Sequence, residues 1–303
     1  MMLSFLPGPL KGSLIVILLL LNTLIWMPIL VIGAIFKIIV PLPIIQKWVT
    51  IVLIACANNW TSLNNFFFLL FLKIDWHVTG TTELSTREWY LVNSNHQSWS
   101  DIPIVQRILN RKVPMPKFFL KKELIWVPVI GVCWWALDFP FMKRSSPDQI
   151  KKNPALAGKD LETTRKACEK FKTTPVSVFN FMEGTRFSKA KHEKQQSPFR
   201  NLLKPKAGGA AFVLGSMGEK MQTMLDITIV YADKDKEFWD LVCGRVHKVI
   251  INIKKIDIPS EFIGKDYSAD PVFKEQFQAW LNELWLNKDA LIDDIKSEYN
   301  IPY

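Results

Sequence analysis

Two long stretches without a charged residue open the chain. Residues 13–36 form a largely apolar run that is long enough to cross a bilayer as a helix. Residues 48–72 are also uncharged, but the asparagines in the middle of this stretch would be costly in hydrocarbon. The second stretch therefore favours a helix that lies shallowly in the membrane or returns to the same face. We predict a membrane-embedded helical pair over residues 1–72, and the pattern leaves one span or two open.

Short apolar runs alternate with helical stretches after Lys73. The runs expected to be strands are residues 74–78, 90–93, 136–139, 176–181, 227–231 and 249–254. The stretches expected to be helices are residues 101–109, 158–172, 207–214 and 270–297, whereas residues 188–198 are expected to form a polar loop. This alternation predicts an α/β fold with a mixed, mostly parallel sheet flanked by helices. Residues 73–303 then form a second domain that includes an amphipathic C-terminal helix.

The charge of the chain is positive and unevenly distributed. The sequence has 38 lysines and arginines against 28 acidic residues, and residues 1–72 contain three lysines and no acidic residue. A basic second domain suits anionic lipid head groups, acyl carriers or nucleic acid. No zinc finger or aromatic RNA-binding signature is present, which leaves membrane and anionic substrates as the expected partners and excludes nucleic acid. The four cysteines form no CxxC pair, which favours reduced thiols in the cytoplasm and no metal site.

A histidine and an aspartate five residues apart, His96 and Asp101, are the strongest candidates for chemistry. They lie between a predicted strand and a predicted helix, at a junction where side chains face an opening rather than a core. A carboxylate in the first helical turn can bind one imidazole nitrogen and leave the other free to take a proton from a substrate. The alternative is a buried histidine whose hydrogen bonds are satisfied by a capping carboxylate.

Three further motifs follow the histidine motif in order. They are Lys-x2-Leu-x6-Gly-x12-Arg at Lys121, Leu124, Gly131 and Arg144, Phe-Met-Glu-Gly-Thr-Arg at residues 181–186, and Leu-Lys-Pro-Lys-Ala-Gly-Gly at residues 203–209. With the Asn-His-Gln-Ser-Trp-Ser-Asp motif at residues 95–101, they make residues 89–232 resemble the glycerolipid acyltransferase family. This family comprises the lysophosphatidic acid acyltransferases and their relatives, and the chain is most similar to a subgroup of bacterial membrane-bound enzymes.

The resemblance implies an acyltransferase. Such an enzyme moves a fatty acyl group from acyl-CoA or acyl carrier protein to the sn-2 hydroxyl of lysophosphatidic acid, giving phosphatidic acid for phospholipid synthesis. His96 would be the general base, and Asp101 would fix its tautomer. The residues implied to bind substrate are Glu183, Gly184, Thr185, Arg186, Arg144, Lys121 and Lys206. No cofactor is implied beyond the acyl donor as co-substrate, and no metal.

The resemblance makes residues 73–303 the catalytic domain. Reduced cysteines, cytosolic acyl donors and positively charged loops predict that this domain lies on the cytoplasmic face of the inner membrane. Three alternatives stay open at the level of sequence. The acceptor is another lysophospholipid, as in phospholipid remodelling; the chain is a hydrolase that uses Ser94 or Ser98 beside His96; or it is a lipid-binding membrane protein without catalysis. The hydrolase would lack the G-x-S-x-G turn that exposes a nucleophilic serine.

Overall fold

The computed structural model describes residues 3–142, 168–169, 171–265, 267 and 270–302. Its helices are α1 (Gly8–Ile39), α2 (Pro43–Phe71), α3 (Asp101–Leu109), α4 (Ile130–Ala136), α5 (Lys189–Gln195), α6 (Ala207–Met217), α7 (Phe238–Cys243) and α8 (Pro271–Glu298). Its strands are β1 (Asp75–Gly80), β2 (Tyr90–Ser94), β3 (Pro116–Phe118), β4 (Leu120–Lys121), β5 (Phe141–Met142), β6 (Ser177–Asn180), β7 (Thr223–Tyr231) and β8 (Lys248–Asp257).

Six strands form the main sheet in the order β1-β8-β7-β2-β6-β3. The β7–β8 pair is antiparallel, and the other neighbouring pairs are parallel. The central strand β2 is buried along its whole length, as expected for a strand covered on both faces. The prediction of a mixed, mostly parallel sheet with flanking helices is confirmed.

Two hydrophobic layers cover the sheet. On one face, α6 and α8 pack against Leu91, Val178 and Met224 from β2, β6 and β7. On the other face, α3 packs against Val92 and Ile227 from β2 and β7. The aromatic stripe of α8 is part of the first layer, since its phenylalanines and Trp285 are fully buried. At about 25 cal/mol per Å² of apolar area, such side chains each stabilise the fold by roughly 2 kcal/mol.

The N-terminal helices α1 and α2 pack against each other. The α1 helix is long and apolar enough to cross a membrane, judged by length and composition. The polar centre of α2 faces α1, because Asn22 donates to Asn64 at 2.7 Å and Trp60 donates to Thr23 at 3.1 Å. These bonds satisfy polar groups that would otherwise be costly in an apolar environment. The division into membrane and catalytic domains at residue 72 stays a prediction.

Two local predictions are wrong. Residues 136–139 are not a strand, since Ala136 ends α4 and the chain then turns at Asp138, whose φ is 57°. A four-residue apolar run does not by itself distinguish a strand from the end of a buried helix. Residues 188–198 are not a loop throughout, since residues 189–195 form α5 and Ser188 caps this helix by accepting a hydrogen bond from the Lys191 amide. The helix predicted over residues 158–172 lies mostly outside the described residues.

Candidate active site

Two neighbouring parallel strands, β2 and β6, bring the histidine motif and the Glu-Gly-Thr-Arg motif together. His96 lies two residues beyond the carboxyl end of β2, and Glu183 lies three residues beyond that of β6. The carboxyl ends of parallel strands share one edge of a sheet, where ligands bind in open α/β folds. The sequence positions both motifs in the turns that follow these strands, so they meet at this edge.

The Asp101 carboxylate is fully buried and accepts four hydrogen bonds. Oδ2 accepts from His96 Nδ1 at 2.8 Å and from the backbone amides of Gln97 and Ser98 at 2.7 and 2.9 Å. Oδ1 accepts from the Tyr231 hydroxyl at 2.6 Å. Burial raises the pKa of Tyr231, and the negative charge of Asp101 raises it further, so this hydroxyl stays a donor. Four donors stabilise the ionised carboxylate against the cost of burial.

This arrangement fixes the tautomer of His96. An ionised carboxylate only accepts hydrogen bonds, so the proton of the neutral imidazole lies on Nδ1, which faces Asp101. Nε2 then carries a lone pair and is the acceptor of the ring. The His96 side chain is 12% exposed, so it is largely enclosed by the protein but still reached by solvent. This is the geometry of a general base with a carboxylate that orients it.

An aromatic cluster packs against one face of the His96 imidazole. The His96 ring stacks on Phe181 with a centroid distance of 3.8 Å and an interplanar angle of 11°. Phe118 from β3 and Phe179 from β6 contact Phe181 in turn. The stacked ring limits rotation of the imidazole about its side-chain bonds, so Nε2 keeps one direction.

The Glu183 carboxylate joins two loops in the interior. Oε1 accepts the His96 amide at 2.8 Å, and Oε2 accepts the Leu203 amide at 2.9 Å. Burial raises the pKa of Glu183 to about 7, although both amide hydrogen bonds lower it. Glu183 is fully buried and engaged on both oxygens. Its place in the structure is that of a residue that positions the His96 backbone, and the substrate-binding role implied by the resemblance stays a prediction.

The Gly184 turn lies under the side chain of Lys206. Gly184 has a φ of 70°, a backbone conformation that residues with a side chain rarely adopt. A Cβ at this position would lie 3.2 Å from Lys206 Nζ, and the Lys206 amide donates to the Met182 carbonyl at 2.7 Å. Thr185 Oγ1 accepts from Lys191 Nζ at 2.8 Å. The structure therefore brings the third and fourth motifs together and places two ammonium groups beside the turn.

Arg186 lies over the histidine motif. Its guanidinium is 4.8 Å from the centre of the Trp99 ring and 3.3 Å from a carboxylate oxygen of Glu237. The Arg186 side chain is 37% exposed and that of Glu237 is 55% exposed, so this ion pair contributes little to stability. The guanidinium thus lies over Trp99 of the histidine motif, and its carboxylate partner is half exposed.

A family model described as Acyltransferase matches residues 75–231, just over half of the chain. The chain belongs to this acyltransferase family. The matched region contains β1, β2, β6 and β7 and all four motifs, so the resemblance read from those motifs is confirmed.

Individual relatives are distant. The chain is 26% identical to a 2-acyl-1-lysophosphatidylinositol acyltransferase from Saccharomyces cerevisiae, with 57% of this chain and 52% of that protein covered. It is 24% identical to the human 1-acyl-sn-glycerol-3-phosphate acyltransferase delta, with 59% and 45% covered. The chain therefore spans about half the length of these curated relatives. A solved structure, the LPA acyltransferase from Thermotoga maritima, aligns with a TM-score of 0.45 and 18% identity, covering 88% of this chain and 95% of that one.

The second motif of the family is only partly placed by the structure. Lys121 is exposed on β4, which pairs with β5, and Arg144 lies outside the described residues. Gly131 has a packing role, because a Cβ there would lie 2.4 Å from the Ile125 carbonyl oxygen. The structure does not join Lys121 to the His96 group by any contact within its described part. The roles of Lys121 and Arg144 in substrate binding stay predictions.

Sequence reasoning missed two residues that support the site. Tyr231 ends β7, and its hydroxyl reaches Asp101 from 130 positions away. Lys236 follows on the next loop, where its carbonyl accepts from the hydroxyls of Ser98 and Ser100 and its Nζ donates to the Gln97 side chain at 2.8 Å. A tyrosine at the end of an otherwise aliphatic strand was the available signal for the first. No sequence signal marked Lys236.

Proposed function

We propose that this protein transfers a fatty acyl group from an acyl thioester to the sn-2 hydroxyl of lysophosphatidic acid. The main support for the proposal is the His96–Asp101 pair. The Asp101 carboxylate fixes the proton on His96 Nδ1, so His96 Nε2 is free to accept a proton. The membership of the acyltransferase family supports it. The reaction requires no cofactor besides the donor, which is acyl-CoA or acyl carrier protein.

The reaction follows from this geometry. His96 Nε2 takes the proton of the acceptor hydroxyl as the hydroxyl oxygen bonds to the thioester carbonyl carbon. Asp101 stabilises the imidazolium that forms, through its bond to Nδ1. When the carbon–sulfur bond breaks, the thiolate leaves and takes the proton from the imidazolium as a free thiol. No covalent enzyme intermediate is needed, and the base returns to its starting state.

The acceptor phosphate is held by cations around the Glu-Gly-Thr-Arg turn. Arg186 lies over Trp99 of the histidine motif, and the planar fork of its guanidinium suits a phosphate. Lys206 lies against Gly184 beside it. Arg144 and Lys121 complete the set by analogy with the family motif. Membrane embedding of α1, which is long and apolar enough to cross a bilayer, is proposed to bring the catalytic domain to the lipid head groups.

The alternative of a serine hydrolase loses support. Ser94 is fully buried, and its hydroxyl donates to the Asn95 carbonyl. The Ser98 hydroxyl donates to the Lys236 carbonyl. Neither hydroxyl donates to His96, so neither is activated as a nucleophile. Within the acyltransferase proposal, a second lysophospholipid acceptor is the runner-up, since one relative is named for a lysophosphatidylinositol.

A panel assay tests the proposal. Purified full-length protein is supplied with oleoyl-CoA and, in separate reactions, lysophosphatidic acid, lysophosphatidylinositol, lysophosphatidylglycerol or no acceptor. We expect free thiol to appear at the highest kcat/KM with lysophosphatidic acid, together with the diacyl product. Thiol release that does not depend on an acceptor would instead identify a thioesterase. A parallel series with acyl carrier protein identifies the donor.

Replacing Arg186 with lysine is expected to weaken binding of the acceptor. Lysine keeps the positive charge but loses the bidentate fork, so KM for lysophosphatidic acid should rise roughly tenfold while KM for the acyl donor changes little. Two-substrate kinetics measure both constants. Lys194→Arg, an exchange of the same type on exposed helix α5, is the control. A rise in the KM of the donor alone would show that Arg186 binds the donor.

The catalytic domain is proposed to face the cytoplasm at the inner membrane. The four cysteines are all buried, so the natural protein offers a low background for thiol labelling. In a bacterial host, a Lys204→Cys variant should react with a membrane-impermeant maleimide only after the cells are opened, because Lys204 is exposed on the catalytic domain. A cysteine introduced on a periplasmic marker protein controls for access. Labelling of intact cells would place this domain on the opposite side.

A further inference from the structure

A basic cavity of about 710 Å³ adjoins the histidine motif at Gln97, and its lining does not include Arg186 or Trp99. Five lysines and arginines line it against two acidic residues; the basic residues are Lys189, Arg200, Lys234, Lys236 and Lys296. One of the acidic residues, Asp233, is engaged with the ring and amide of His247 at 2.9 and 2.7 Å. The lining therefore has a clear excess of positive charge, and its volume is that of a small-molecule site.

Burial lowers the pKa of two lysines in this cavity, Lys236 and Lys296, and neighbouring cations add to this effect. Burial lowers the pKa of Lys236, and the charge of Lys296 lowers it further against the opposing effect of Asp101. Burial also lowers the pKa of Lys296, and the neighbouring Arg200 adds to this effect against Asp293 and Asp289. Asp289 accepts the backbone amides of residues 200 and 201, and Asp293 accepts the Asn201 side-chain amide and lies 3.9 Å from the Arg200 guanidinium, so these carboxylates offset part of the charge. Crowded cations of this kind are stabilised when an anion binds between them.

Aromatic rings and apolar side chains form another wall of the same cavity. The rings of Phe187 and His192 lie 5.7 Å apart at an interplanar angle of 55°. The His192 ring is anchored by a bond between Nε2 and the Phe199 carbonyl oxygen at 2.6 Å. Ile301 lines the cavity as well. A planar base can stack on such rings, whereas a phosphate alone would use only the cationic side.

Two hydrogen bonds connect residues that line the cavity to the segment that contains the proposed base, His96, and Gln97. The Phe187 amide donates to the His96 carbonyl at 2.7 Å, and Lys236 Nζ donates to the Gln97 side chain at 2.8 Å. Two residues of the cavity lining are thus neighbours of His96: Gln97 follows it in the chain, and Phe187 is hydrogen-bonded to its backbone. A ligand that fills it can extend a chain to the base, while Arg186 lies outside the lining and stays available for another anion.

From the cations, the aromatic wall and the connection to His96, we propose that this cavity binds the phosphorylated nucleotide of the acyl donor, as found in coenzyme A. The base stacks on Phe187 and His192, and the phosphates lie among Lys234, Lys236 and Lys296. The proposal rests on the transfer reaction proposed above and names the place of its donor. The acceptor phosphate, which has the same chemistry, is held separately at Arg186.

Equilibrium binding of coenzyme A without an acyl chain tests the cavity. Full-length protein in detergent is titrated with coenzyme A and with its analogue lacking the 3′-phosphate, using isothermal calorimetry. Lys296→Gln and Lys234→Gln should each raise the Kd for coenzyme A roughly tenfold, since a charge-assisted bond to phosphate is lost. The effect should shrink for the analogue if the lysine contacts the missing phosphate. Lys254→Gln removes the same charge from an exposed position on β8 outside the lining, and should leave the Kd unchanged.

The outcomes separate this proposal from the function proposed for the protein. Unchanged Kd values in both cavity variants, with folding verified by thermal melting, would overturn the cavity assignment even if acyl transfer is observed. A rise in the Kd of lysophosphatidic acid instead of coenzyme A would assign the cavity to the acceptor and also overturn it. Weakened coenzyme A binding in the variants supports the cavity even if the panel assay finds no transfer, because this titration requires no turnover.

Discussion

Replacing His96 with alanine is expected to lower the rate of acyl transfer by about 10² to 10⁴ while leaving the protein folded. The range is the usual contribution of a positioned general base. Among the described residues the His96 side chain hydrogen-bonds to Asp101 alone, and the backbone amide that binds Glu183 is kept in the variant. The loss should therefore appear in kcat, measured by thiol release with saturating donor and acceptor.

A second histidine–aspartate pair provides the matched control. His77 Nε2 lies 2.9 Å from an oxygen of Asp75, and its Nδ1 lies 3.2 Å from the Tyr299 hydroxyl. Both ring nitrogens of His77 are thus occupied, whereas His96 has one nitrogen free of the carboxylate. His77→Ala should keep transfer within a factor of about two, in line with a surface substitution. If His96→Ala and His77→Ala lose activity equally, His96 is not the base.

The sequence was sufficient for the parts of the site that form within a few residues. His96 and Asp101 are five positions apart, and the helix start at Asp101 was predicted at the residue where α3 begins. The strands before the two main motifs were also predicted to within a residue or two, because each is an apolar run that ends in polar residues. Because β2 and β6 are parallel neighbours, the two motifs that follow them meet at one edge of the sheet.

Long-range partners could not be predicted in the same way. Tyr231 and Lys236 reach the histidine motif across more than 120 residues, and their role depends on β7 lying next to β2. The order of strands follows from how the layers pack, which no local pattern encodes. The antiparallel pairing of β7 and β8 is missed for the same reason, whereas the short helix α5 is missed because the cap that starts it, Ser188, lies in a polar stretch without an apolar pattern. In these cases tertiary contacts and a single capping side chain outweigh the local pattern.

The position of Glu183 follows from a local motif, whereas its contacts with His96 and Leu203 are long-range. Its replacement is expected to affect folding and catalysis together. Glu183→Ala leaves the buried amides of His96 and Leu203 without an acceptor, at a cost of about 1–3 kcal/mol each in the free energy of unfolding. Glu183→Gln keeps one acceptor and should cost about half as much. Because the His96 backbone shifts, kcat should fall by about 10² in both variants. Glu283→Gln, on the exposed side of α8, is the control.

The pH dependence of stability tests whether titration of the Glu183 carboxyl underlies the stability loss of these variants. Its pKa is about 7 in the folded protein and near 4.5 when unfolded, so the folded state binds the extra proton between these values. Its contribution to stability is therefore full below pH 4.5 and is lost as the pH rises through 7. Glutamine does not titrate, so the stability deficit of Glu183→Gln should be larger at pH 5 than at pH 8. Urea unfolding in detergent at the two pH values measures this difference. A deficit that grows with pH would mean that the buried carboxyl ionises more readily than its surroundings indicate, and that its two amide bonds outweigh the cost of burial.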